Sequence, residues 1–253
     1  MSDKGKKSKM PSKITEAGEN FGAEFGRLTS FTLFILELAK ASDETAKIIA
    51  RTLQKHELGK YKDRDVIQEI EDKGAVKGLL DFHHHTFFEI ILCRGVDNFL
   101  SYVTQLLALI FRNKPEMLRS SERIKLDYIL EHQSMEDLIH DLVERKVNDL
   151  SYQGMRKLNT SLAEQIGFQL IPDGQELDET VRIIESRNLI VHNRGIVNEL
   201  YLMRVPNSNE SLGKKLKLES DSVFDDIEFL SEKVISIDVN AAKKFSLPLV
   251  KKK

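Results

Sequence analysis

Apolar residues recur at helical spacing along most of the chain, and the interruptions divide it into segments. Residues 1–13 lack that periodicity, are rich in lysine and contain Pro11, which predicts a disordered tail. From Ile14 the pattern turns helical, and Ser42-Asp43 offers an N-cap ahead of Ala46, Ile48, Ile49 and Leu53, so two helices are expected there. The stretch Glu57 to Lys73 is strongly charged, with Gly59 and Gly74 near its ends, and reads as a solvent-facing helix or a linker. It is the best internal boundary, giving an N-terminal helical extension over 14–75 and a helical domain over 76–250.

The longest strongly apolar segment, from about Ala75 to Asn113, predicts a long central helix stopped by Pro115. Ser134 and Asp137 resemble a capping box before Leu138, Ile139, Leu142 and Val147, and a further helix is expected from about Tyr152 to Gly167, a left-handed C-cap. Pro172-Asp173-Gly174 is a turn signal, after which Glu176 to about Asn193 reads as a helix with an acidic first turn. The region 200–218 is expected to hold one short strand or hairpin, because Lys214 to Leu218 alternates. Asp221 to Phe245 is helical again. The sum is an all-α fold, an irregular helical bundle.

Composition changes this picture little. The 253 residues are 41% hydrophobic, enough for a substantial core, and carry a net charge of -2, so any polyanion contact has to be local. The single cysteine, Cys93, lies in an apolar run and reads as an inert buried thiol, which suits a reducing, cytoplasmic setting. The basic N-terminus lacks the uninterrupted apolar core of a signal peptide, and the apolar stretches Phe31 to Leu38 and Phe99 to Phe111 are shorter than the roughly 20 residues a spanning helix needs. Neither secretion nor a membrane partner is expected.

Candidate chemistry concentrates in Arg187-Asn188-Leu189-Ile190-Val191-His192. On a helix, Asn188 and His192 share a face, whereas Arg187 and His192 diverge by about 140°. Arg187 and Asn188 interrupt apolar stripes formed by Ile183, Ile184, Ile190 and Val191. A buried guanidinium or amide without partners costs several kcal/mol or more, so something must reward both. One reading is an internal polar network, with Arg187 paired to a carboxylate such as Glu185 or Glu144. The other is a functional site. Spacing alone does not decide, since Arg51 to His56 repeats it in a context that has no other recommendation.

The wider string Glu185-Ser186-Arg187-Asn188-Leu189-Ile190-Val191-His192-Asn193-Arg194-Gly195 resembles the signature of the HEPN superfamily (higher eukaryotes and prokaryotes nucleotide-binding): an Arg, four to six residues, then His, often with a polar residue after the Arg. Asn188 fills that polar position. The resemblance extends less sharply over about 80–250, looks most like the bacterial branch related to RiboL-PSP-HEPN proteins, and leaves 1–75 outside. It implies a helical bundle that commonly dimerises with signature helices facing across a cleft. Many such proteins are metal-independent endoribonucleases of toxin-antitoxin or antiphage systems, and others are non-catalytic RNA-binding or protein-interaction modules. For this chain it implies His192 as proton-transfer group, Arg187 as phosphate-holding group and Asn188 as orienting group, with Asn193 and Arg194 as weaker RNA contacts and neither metal nor cofactor. RNA would be the substrate, a second copy the partner, and an antitoxin or another defence component a further partner.

Other constellations carry less. His83-His84-His85 point about 100° apart on a helix and cannot converge on one ion, although His85 is placed to pair with Glu89. His132, Glu136 and His140, spaced by four, read as a solvated pairing face. No P-loop, GxGxxG, GxSxG or cysteine-based zinc spacing occurs.

Overall fold

The computed structural model describes residues 13–56, 68, 77–118, 124–151 and 153–251. The Lys-rich segment 1–12, nearly all of the charged stretch Glu57 to Lys73, the side chains of His83 and His84, and Tyr152 lie outside the described residues.

The fold is all-α. Strand β1 (Lys13–Ile14) is followed by helices α1 (Glu16–Lys55), α2 (Lys77–Asn113), α3 (Leu126–Leu130), α4 (Met135–Ser151), α5 (Met155–Ile166), α6 (Gln175–Asn193), α7 (Glu199–Arg204) and α8 (Ser220–Phe245), and by strand β2 (Val250–Lys251). No helix among the described residues is long and apolar enough to cross a membrane.

Helix α2 runs through the centre, with Leu92, Val96, Phe99, Leu106, Leu107, Ile110 and Phe111 fully buried. It and α8 run parallel: Phe88 meets Phe224, Gly95 lies against Ile227, Tyr102 faces Asp238, and the Asn113 side chain donates to the Phe245 carbonyl at 2.8 Å. Gly95 is required by that approach, since a Cβ there would stand 2.9 Å from Ile227 Cγ1. Helix α1 lies antiparallel to α2, joined by Glu24 with Arg94 and by Asn20 with Gln105. Its start is pinned to α8, where the buried Asp238 carboxylate accepts from the Thr15 N–H at 2.9 Å and from the Thr15 hydroxyl at 2.5 Å. Ala17 and Phe21 therefore enter the same core as α2.

Several sequence expectations hold closely. Helix α2 stops at Asn113 before Pro115, Gly167 closes α5 with φ 63°, and α6 starts one residue before Glu176. Three are corrected. The N-cap signal at Ser42-Asp43 starts no new helix, because α1 continues through it; Ala39, Ala41 and Ala46 are strong helix formers on both sides. The region 200–218 holds no strand: residues 199–204 form α7, and the alternation at 214–218 contributes one bridge, Lys215 to Ile196, with Leu216 and Leu218 turned inward. The strands lie elsewhere, β1 pairing antiparallel with β2, so Lys13 belongs to an ordered ladder and not to the tail.

Candidate active site

The signature segment forms the last two turns of α6. The helix ends in a left-handed turn, with Arg194 at φ 56° and Gly195 at φ 72°, and the Gly195 N–H returns to the Leu189 carbonyl at 3.0 Å. The Asn193 side chain donates to the Ile196 carbonyl, and Lys215 Nζ donates to the Arg194 carbonyl at 2.9 Å. Residues 195–197 are then held to 213–216 by backbone hydrogen bonds, which sets the direction in which the chain enters α7. Asn198 caps α7 by accepting from the Tyr201 N–H at 2.8 Å, and Tyr201, buried, packs beside Ser186 of α6.

Between α6, α7 and the start of α5 lies a cleft of about 550 Å³, lined by Arg187, Asn188, His192 and Asn193 together with Glu185, Tyr201 and Arg204. Gln153, Met155, Leu158 and Leu200 are among its other walls. His192 is exposed, and Arg187 and Asn188 are half-buried. Arg187 Nη2 pairs with Asp97 of α2 at 2.7 Å, its Nη1 donates to Asn188 Oδ1 at 3.2 Å, and its buried Nε finds no acceptor among the described residues. The guanidinium is thus steered by a carboxylate behind and an amide beside it. Glu185, nearly buried, does not pair with Arg187, and Glu144 lies beside His140 instead. Glu185 holds Arg204, whose Nη1 donates to its two oxygens at 3.0 and 3.1 Å.

The fold brings Arg187, Asn188, His192 and Asn193 to one cleft in a single chain, despite the angular divergence of Arg187 and His192. Arg194 is exposed and does not line it. Arg51 and His56, the pair with the same spacing, are exposed at the end of α1 and line no part of it either. Comparisons with family models, with curated proteins and with solved structures find no match to the chain. The functional reading therefore rests on these side chains.

Two residues of this neighbourhood escaped the sequence reading. Asp97 interrupts the most apolar helix of the chain, the same kind of signal that drew attention to Arg187. Arg204, at the end of a six-residue helix, gives no comparable signal. Elsewhere, His85 faces Glu89 at 3.3 Å as expected. The expected face of His132, Glu136 and His140 is not formed, because His132 precedes α4 and turns to Asp141 at 3.3 Å. Among the described residues no group of three or more His, Cys, Asp or Glu side chains is placed to hold a metal ion. Cys93 is half-buried, and desolvation raises its thiol above the ordinary range.

Proposed function

We propose that the chain is a metal-independent endoribonuclease of HEPN type that cleaves RNA by attack of the ribose 2′-hydroxyl and acts as a toxin or antiphage defence effector. The observation that carries this reading is the single cleft onto which Arg187, Asn188 and the exposed His192 open. RNA supplies its own nucleophile, so the protein need only move protons and stabilise charge on the phosphate. An exposed imidazole suits the first task, accepting the 2′-hydroxyl proton or giving one to the departing 5′-oxygen. A guanidinium oriented by Asp97 suits the second, the remaining hydrogens of its Nη groups serving the phosphate oxygens as charge builds. Asn188, bonded to Arg187, orients the guanidinium.

One imidazole cannot be base and acid at the same instant, and a second copy facing the first would supply the complementary group. Exposed apolar side chains on the same two helices favour that arrangement: Val191 on α6 and Leu200 and Met203 on α7 are 50%, 47% and 70% exposed respectively. The protein would then act as a homodimer, restrained by an antitoxin or another defence partner.

The ion pair of Arg187 with Asp97 favours a second reading, a non-catalytic module of the same fold in which the signature residues serve packing or RNA binding. Expression in a bacterial host separates the two. A nuclease arrests growth, and His192→Ala relieves the arrest at unchanged soluble yield; a module gives no arrest, or gives one that His192→Ala leaves intact.

A further inference from the structure

The cleft holds a second guanidinium for which the proposed cleavage step has no use. Glu185 and His192 are seven residues apart on α6, which places them on the same face within about 20° and separated by about 10 Å of helix rise. Asn188 stands between them on that face. Arg187 bonds to Asn188 from the flank, while Arg204 is held by Glu185. The cleft that His192 lines thus holds two arginines, each paired with one carboxylate.

The two members of the second pair differ in exposure. The Glu185 side chain is 10% exposed and that of Arg204 is 45% exposed. Both carboxylate oxygens accept from the same atom, Arg204 Nη1, so the pairing leaves Nη2 and Nε to other partners. A surface arginine free to wander loses side-chain entropy on binding a ligand; one already tethered by a nearly buried carboxylate has less to lose. Tyr201, buried one turn earlier on α7 against Ser186, fixes the backbone from which Arg204 projects.

We infer that Arg204 is a second phosphate-binding residue of this cleft, gripping the phosphodiester next to the one held by Arg187 on a single-stranded RNA. The inference rests on the RNA reading of the cleft but not on cleavage. Arg187, from α6, and Arg204, from α7, line the same cleft, so a strand lying in it can meet both guanidinia. The apolar wall of Leu158 and Leu200 lies alongside, where an unpaired base can leave water.

The test is the salt dependence of binding of a fluorescent, fully 2′-O-methylated single-stranded RNA, which cannot undergo 2′-hydroxyl attack. Arg204→Ala is expected to weaken binding about tenfold at low salt and to reduce the slope of log K against log salt by about 0.7, the contribution of one phosphate on a single strand. Because Arg204→Ala leaves Glu185 unpaired, the double variant Glu185→Ala with Arg204→Ala is measured beside it. A reduced slope in both supports the inference. A wild-type slope in both, or recovery of the slope in the double variant, overturns it and leaves Arg204 as the structural partner of Glu185. Absence of RNA binding by the wild-type protein overturns it as well. Cleavage measured separately with unmodified RNA keeps the two readings apart: a slope that depends on Arg204 in a protein that does not cleave leaves this inference standing and removes the nuclease.

Discussion

Replacing Asp238 by alanine tests whether the N-terminal helix is part of the core or an appendage to it. The carboxylate is 2% exposed and accepts two hydrogen bonds from Thr15, itself fully buried, while Tyr102 Oη lies 3.4 Å away. A hydrogen bond to a charged group contributes about 1.5–3 kcal/mol, and a buried donor left without a partner costs about as much. The Tyr102 contact is too long to add much. Losing the two Thr15 bonds should therefore lower stability by about 3–5 kcal/mol, reduced where water enters the small space vacated. The assay is equilibrium unfolding in urea followed by helical circular dichroism, with hydrogen exchange reporting on residues 16–30. Loss of protection in that segment together with a lower midpoint is expected. A change below about 1 kcal/mol would refute the reasoning and make α1 an independent extension.

Two further outcomes follow from the packing of α8. Gly95→Ala gains up to about 1 kcal/mol in helix propensity, yet its new methyl would stand 2.9 Å from Ile227, so a net loss of about 1–3 kcal/mol in thermal or urea unfolding is expected; a stabilised variant would contradict the close contact of α2 with α8. Asp226 is buried beside Arg182, and desolvation outweighs that attraction, pushing its carboxyl up to about 6. A carboxyl raised in the folded state above its unfolded value of about 3.9 binds more protons when folded, so its contribution to stability falls as pH rises from about 4 to about 6. The stability of the wild-type protein relative to Asp226→Asn should decline across that window. A relative stability that rises there would reverse the sign and show that the ion pair dominates burial.

The helices were legible where local chemistry is decisive. Pro115 cannot continue α2, Gly167 tolerates the left-handed cap, and the acidic residues Glu176 and Asp178 suit the start of α6. Local signals failed where they compete with their surroundings. The cap at Ser42-Asp43 is overridden by helix formers on either side, and two-residue strands have too few positions to show a period. The alternation at 214–218 does describe inward Leu216 and Leu218, but only one bridge is available to it. In the candidate site, Arg187, Asn188 and His192 could be found because polar residues broke apolar stripes within one helix. The anchor of Arg187 could not be assigned, because Asp97 reaches it through tertiary packing across 90 residues. Glu185, the nearest carboxylate in sequence, points away from Arg187, two residues on a helix being about 160° apart in the shorter sense.

Cleavage by 2′-hydroxyl attack through Arg187 and His192, as proposed, leaves a chemical signature at the new RNA ends. The most direct measurement is analysis of the ends formed when purified protein meets RNA in EDTA, with wild-type, Arg187→Ala and His192→Ala proteins compared. The wild-type protein is expected to leave 2′,3′-cyclic phosphate and 5′-hydroxyl ends. His192→Ala is expected to lower the rate about 100- to 10,000-fold, with folding unchanged. Cleavage that persists undiminished in His192→Ala, or that leaves 5′-phosphate ends, would contradict it.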